Sequence, residues 1–304
     1  MTVALATHAV VPPPQWQRDG HDWPNRDYSR FVHAAGMVLH VQVMGSGPVA
    51  LLAHGTGAGT HSWRALAPLL AGHFTVVAPD LPGHGFSPAP QGVRLTLPFM
   101  AKALAELCRV LEGAPALAVG HSAGAAMLCH MSLDGLADPR GIVSINGALV
   151  PLYGMPGKIF SPLAKLIFGM PGLGTLFSRH TGNRAVVERL LRETGSKLDA
   201  AGIDLYARLA ANPAHTGAAL NMMAAWDLAP LLRDLPKLRP KLLLVAAEND
   251  RSIAPADAER VRALVPGATL VRLPRLGHLA HEEAPQATAD LIVAFARTCG
   301  VLAA

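Results

Sequence analysis

Apolar positions follow one spacing in some stretches of the chain and another elsewhere, and each change of spacing marks an element. From Phe31 to Met44 the pattern predicts two strands turned at Ala35-Gly36, with Val38, His40 and Gln42 alternating against apolar neighbours in the second. After the turn Gly45-Ser46-Gly47-Pro48, Val49 to Ala53 is continuously apolar, as a strand buried on both faces of a parallel sheet must be. Phe74 to Pro79, the run from Ala116 to Gly120, Gly141 to Ile145, Lys241 to Ala247 and Thr269 to Leu273 read as further strands. Helices are predicted between and after them, at Ser62 to Leu70, Thr96 to Leu111, the small-residue stretch after Gly124, Ala256 to Leu264 and Ala284 to Arg297. Strands alternating with helices specify right-handed crossovers and an α/β fold with a mostly parallel, doubly wound sheet.

Pro151 to Arg239 breaks the alternation. No convincing strand occurs there, and Pro151, Pro156, Pro162 and Pro171 punctuate short helical pieces. Further helices are expected around Ala185 to Glu193, Asp204 to Leu209 and Ala218 to Ala225. The reading is a helical cap inserted into the sheet domain: residues 1–22 a flexible tail, 23–150 the first part of the core, 151–239 the cap and 240–304 the rest of the core. Met1 to Pro14 has no early Lys or Arg and runs into three prolines, unlike a signal peptide.

Composition narrows the class. The 304 residues are 51% hydrophobic and 15% charged, which excludes a disordered chain, and the net charge of +5 is spread without a basic run, which argues against a nucleic-acid partner. Cys108, Cys129 and Cys299 lack metal-site spacing and read as reduced thiols, implying a reducing, cytoplasmic setting. No stretch of about twenty residues is free of Pro, Gly and charge, so no membrane span is predicted.

The chemistry concentrates at Gly120-His121-Ser122-Ala123-Gly124, a G-x-S-x-G between a strand and a helix. Such a turn strains the serine backbone and lifts its hydroxyl above the sheet, at the positive end of the following helix. A serine needs a base, and the base needs a group to fix its tautomer. Asp250 follows the strand Lys241 to Ala247, and His278 follows Thr269 to Leu273, so both fall on the same sheet edge as Ser122. Glu248 and Asp257 are rival acids with poorer reach, and Asn146, at the other position open to an acid, cannot carry the charge. The N–H groups of Ala123 and of Thr56, in the loop His54-Gly55-Thr56-Gly57, are the expected oxyanion donors. His54 and Asp80 are expected to shape loops by bonding backbone. His281 and Glu282 read as a solvated helix start, since the order H-E-x-x-H is absent; the predicted acyl transfer to water requires neither metal nor cofactor. Met155, Met170, Met222, Met223 and Trp226 are candidates to line an adaptable apolar pocket under the cap, and Lys158, Lys165 and Arg179 give that cap a basic face for peripheral contact with a membrane.

These motifs, with Asp80-Leu81-Pro82-Gly83-His84-Gly85 and Gly277-His278, resemble the α/β-hydrolase superfamily over nearly the whole chain. Further stretches are more specific: Asp22-Trp23-Pro24-Asn25-Arg26, Gly57 to Trp63, Asn146-Gly147-Ala148-Leu149, Met222 to Leu228 and Gly277 to Glu283. They resemble the BchO-type magnesium-chelatase accessory proteins of bacteriochlorophyll biosynthesis. That resemblance implies a photosynthetic bacterium, a tetrapyrrole-like ligand and magnesium-chelatase subunits as partners. Magnesium insertion itself belongs to a separate chelatase, and the chain has no G-x-x-x-x-G-K-[ST].

Overall fold

The apolar runs assemble into one eight-stranded sheet. The computed structural model describes residues 14–111, 113–151 and 173–303. A helical turn, α1 (Trp16–Asp19), leads into the hairpin β1 (Ser29–Ala34) and β2 (Met37–Met44). There follow β3 (Val49–Ala53), α2 (Leu66–Leu70), β4 (Thr75–Pro79), α3 (Leu97–Leu111), β5 (Leu117–His121), α4 (Ala123–Leu133) and β6 (Gly141–Ile145). Beyond residue 172 come α5 (Leu173–Thr181), α6 (Arg184–Glu193), α7 (Ala200–Ala210), α8 (Pro213–Ala225) and α9 (Ala229–Asp234). The chain closes with β7 (Lys241–Ala247), α10 (Pro255–Leu264), β8 (Thr269–Leu273), α11 (Ala280–Glu283) and α12 (Pro285–Thr298).

The strand order is β1-β2-β4-β3-β5-β6-β7-β8. β1 and β2 run antiparallel, and every pairing from β4 to β8 is parallel. The hairpin turns through Ala35 (φ 52°) and Gly36 (φ 70°), two left-handed residues of the kind that match strand twist. Alternate residues of each central strand feed opposite cores: Leu51, Val77, Ala118, Ile142 and Leu244 pack with α3 and α4, while Leu52, Val76, Val119, Val143 and Val245 pack with α2 and α12. This two-sided burial explains why these strands read as unbroken apolar runs. Cys108 and Cys129 are buried, which pushes both thiols up to about 12, and Cys299 is half-buried.

Two local expectations change. The helix expected over Ser62 to Leu70 is a 3-10 turn, Thr60–Trp63, followed by the separate α2. The break lets Ser62 and Arg64 both reach Glu282. The N-terminal tail, expected to run to residue 22, is already anchored at Trp16, which meets Phe86 edge-on with ring centres 5.0 Å apart, lies tilted 4.9 Å from His40 and has Arg26 over its face. Large aromatic area offsets the entropy of ordering so short a segment.

Candidate active site

β5 and α4 meet at Ser122, whose backbone lies at φ 51°, ψ −119°. A non-glycine residue in such a region costs about 1–3 kcal/mol, which the surroundings must offset. They do so by close packing and hydrogen bonds. A Cβ on Gly120 would stand 2.4 Å from the Ala125 nitrogen, and one on Gly124 2.0 Å from the Ala53 carbonyl oxygen. The Ser122 N–H donates to Ile145 O at 3.0 Å, and Ser122 O accepts from Ala148 N–H at 3.0 Å. The serine itself stays half-buried, while Ala123 begins the helix beside it.

The loops after β7 and β8 bring Asp250 and His278 together. Nδ1–H of His278 donates to Asp250 Oδ2 at 2.7 Å, and both residues are at least nine-tenths buried. The other carboxylate oxygen, Oδ1, accepts from the backbone N–H of Ser252 at 2.7 Å and Ile253 at 2.9 Å. Glu248 is exposed and Asp257 pairs with Arg260, so neither rival acid occupies this place. His121, next to Ser122, stacks 4.7 Å from the His278 ring and donates from Nε2 to His278 O at 2.9 Å. Asn146 donates from Nδ2 to the carbonyls of Gly277 (3.1 Å) and His278 (2.9 Å), and its Oδ1 accepts from Ala247 N–H at 2.8 Å. The sequence marked Asn146 only as a missing acid; its amide, with a donor and an acceptor at one strand end, was the signal for this bracing role.

The loop after β3 lies against the nucleophile. A Cβ on Gly55 would be 3.0 Å from both Ser122 Cβ and His121 Nδ1. His54 donates from Nδ1 to Gly55 O at 2.8 Å and accepts Leu81 N–H at Nε2, 3.0 Å away, so it is a neutral structural histidine whose pKa burial pushes down. Thr56 donates its hydroxyl to Met222 Sδ at 3.6 Å, and Gly57 O accepts from His215 Nε2 at 3.1 Å. Asp80 is fully buried and shapes its loop, accepting from Thr60 N–H (2.6 Å), Phe86 N–H (2.9 Å) and His40 Nδ1 (2.7 Å). Burial alone raises its pKa, but His40 and these bonds outweigh it and hold the carboxyl well below the usual carboxylate range.

His281 and Glu282 correct an expectation. Far from being a solvated helix start, both side chains are fully buried. Ser62 Oγ accepts from His281 Nε2 at 2.7 Å and donates to Glu282 Oε1 at 2.8 Å, Tyr206 OH donates to the same oxygen at 2.7 Å, and Arg64 pairs with Oε2. Burial pushes Glu282 up and His281 down to about 3. Arg64 and Tyr206, on separate elements, supply the partners that make this burial tolerable. Local pattern cannot show such partners.

Of the pocket candidates, Met222 is fully buried beside Thr56, Trp226 is buried in the same apolar core as the residues of α4, and Met223 is half-buried. Met155 and Met170, with Lys158 and Lys165, lie outside the described residues. Among the described residues no three His, Cys, Asp or Glu side chains are grouped to hold a metal ion, and no helix is long and apolar enough to cross a membrane.

Residues 50–291 match the family model described as the alpha/beta hydrolase family. The chain is 40% identical over 248 residues to the magnesium-chelatase 30 kDa subunit of Rhodobacter capsulatus, covering 81% of this chain and 86% of that one. It is 28% identical over 247 residues to a pimeloyl acyl-carrier-protein methyl ester esterase of Xanthomonas oryzae, covering 79% and 91% respectively. Among solved structures, an alpha/beta hydrolase fold protein from Burkholderia ambifaria superposes with a TM-score of 0.71 at 22% identity, over 88% of this chain and 99% of that one, a likeness of fold.

Proposed function

The chain belongs to the alpha/beta hydrolase family, in the group that includes the magnesium-chelatase 30 kDa subunit, and from that premise we propose that it is a serine hydrolase cleaving an ester of an apolar or tetrapyrrole-like substrate. The observation that carries this reading is the 2.7 Å bond from His278 to a buried Asp250 on the sheet edge where Ser122 sits strained. Asp250 fixes the tautomer that leaves His278 Nε2 free to act as a base. Ser122 Oγ attacks the ester carbonyl and its proton passes to His278, which returns it to the departing alkoxide. Water then attacks the acyl-serine, giving its proton to His278; collapse returns that proton to Ser122 and releases the acid. The N–H groups of Thr56 and Ala123 are assigned to the oxyanion in both steps.

Residues 151–239 are read as the cap over this site, on a core of residues 23–150 and 240–304, with Met222, Met223 and Trp226 on its inner side. The cytoplasmic setting and the peripheral contact of the cap with a membrane rest on the sequence alone; the relative's name supports a place beside magnesium chelatase. It also favours a second reading, a porphyrin carrier on a hydrolase scaffold, because that relative is named as a chelatase subunit and not as a hydrolase.

Labelling by a serine-directed phosphonate and turnover of an ester panel, with and without magnesium protoporphyrin, separate the two. The hydrolase reading expects labelling of the parent protein and a loss of roughly a thousandfold or more in rate for Ser122→Ala. Equal porphyrin binding by both proteins, with neither labelled nor turning over, would establish the carrier instead.

A further inference from the structure

The segment joining α6 to α7 is bonded to both loops that carry the proposed acid and base. Thr194 O accepts from Arg251 N–H at 3.1 Å, just after Asp250, and from His278 N–H at 3.4 Å. Ser196, 2% exposed, accepts Leu279 N–H at Oγ, 2.9 Å away, and also the Thr194 hydroxyl at 3.0 Å. Glu283 closes the circle: Oε1 accepts from Gly277 N–H at 2.9 Å and Oε2 from Lys197 N–H at 3.1 Å. The three consecutive amides Gly277, His278 and Leu279 are thus all tied, directly or through Glu283, to residues 194–197.

The fit is tight enough to demand glycine. Gly195 takes φ +88°, and a Cβ there would lie 1.9 Å from Asn249 O; a Cβ on Gly277 would lie 2.3 Å from the Gly195 carbonyl carbon. Backbone therefore meets backbone with no side chain between. The Asp250–His278 bond depends on the separation of two loops, which are joined directly where Asn249 N–H donates to Leu276 O at 2.9 Å and are both bonded by this strap. A hydrogen bond of 2.7 Å tolerates little error in that separation.

We propose that the Thr194–Lys197 strap, through Ser196, is a positioning element for the Asp250–His278 pair, so that the segment joining α6 to α7 sets the geometry of the base. The role of the pair in turnover rests on the serine-hydrolase reading; its geometry does not. Helices α6 and α7 flank the strap directly, so a ligand that displaces them also displaces His278.

The test is Ser196→Ala, read in two ways. First, the low-field proton resonance of the Asp250-bonded His278 Nδ1–H, assigned by its loss in His278→Gln, reports the pair without any substrate. Second, kcat and KM on an ester that the parent protein turns over report the consequence. We expect the resonance to shift or broaden, kcat to fall about tenfold or more with KM within about twofold, and Ser196→Thr to recover both, since sub-ångström to ångström misplacement of a base costs rate and not affinity. An unmoved resonance in Ser196→Ala overturns the proposal, whatever the rate. If the parent protein turns over no ester, the hydrolase reading fails alone, and the resonance still decides the strap. Should Ser196→Ala not fold, Glu283→Gln, whose single amide oxygen can accept from only one of Gly277 N–H and Lys197 N–H, carries the same readouts.

Discussion

The two oxygens of Asp250 are divided between backbone and base: Oδ1 is held by the amides of Ser252 and Ile253, and Oδ2 by His278. Asp250→Asn keeps the shape, but an amide nitrogen at Oδ2 would face the His278 Nδ1–H, donor to donor, and only the other ring tautomer relieves the clash. That tautomer puts a proton on Nε2 and removes the base. We expect roughly a thousand- to ten-thousandfold lower kcat with an unchanged circular dichroism spectrum; a loss under tenfold would remove Asp250 from the mechanism. The Asp250–His278 pairing was legible because each residue lies in the short loop that follows a strand, where parallel topology fixes the edge. Glu282 was not, since burial of a carboxylate depends on Arg64 and Tyr206, distant in sequence and close only after folding. Met222 falls between: its apolar character was visible, but not its contact with Thr56.

At the scale of elements, β3 and the β5–α4 elbow press on one another without a side chain between them. Gly124 packs on the carbonyls of Ala53 and His54, where a Cβ would come within 2.0 Å of Ala53 O, a backbone atom that cannot swing aside. Gly124→Ala must push α4 off β3, and α4 carries the Ala123 amide. Loss of several kcal/mol is expected from such overpacking, seen as a fall in the chemical-denaturation midpoint of soluble protein or as failure to fold; a midpoint within experimental error of the parent would show that the elbow has room for a methyl group. Strand β3 begins and ends where its apolar run does, because burial on both faces leaves no polar residue within it to blur the edges. The 3-10 turn before α2 was invisible for the opposite reason: Ser62 and Arg64 fit a helix by propensity, and only their shared partner Glu282 breaks it.

For the molecule as a whole, the unusual quantity is the number of histidines kept neutral inside it. Burial lowers the pKa of His54, His61, His84, His121, His215 and His281 from the ordinary 6.5, to about 4 at His215 and about 3 at His281. Above 6.5 these rings are neutral in both folded and unfolded chains, so the folded state loses nothing by excluding protons. Below it the unfolded chain takes up protons that the folded chain refuses, so stability falls as pH drops from 6.5 and continues to fall until the folded values near 4 and 3 are reached. Glu282 opposes the trend, since its raised pKa favours the folded state as acid protonates it, but it is one group against six. His215 alone contributes about 3 kcal/mol of this loss by pH 4, a large part of a typical domain's stability. His215 also accepts Gly85 N–H at Nδ1 (3.1 Å) while donating to Gly57 O from Nε2, a pair of roles that only the neutral ring fills, so its protonation unfastens the loop that carries Thr56. Denaturant midpoints measured at pH 7.5, 6 and 5 should therefore fall below pH 6.5, and less steeply in His215→Gln, whose amide keeps one donor and one acceptor without titrating. A midpoint flat from pH 7.5 to 5 would mean that the buried rings take up protons as readily in the folded chain as in the unfolded one, and that the interior beneath the site is wetter than its packing implies.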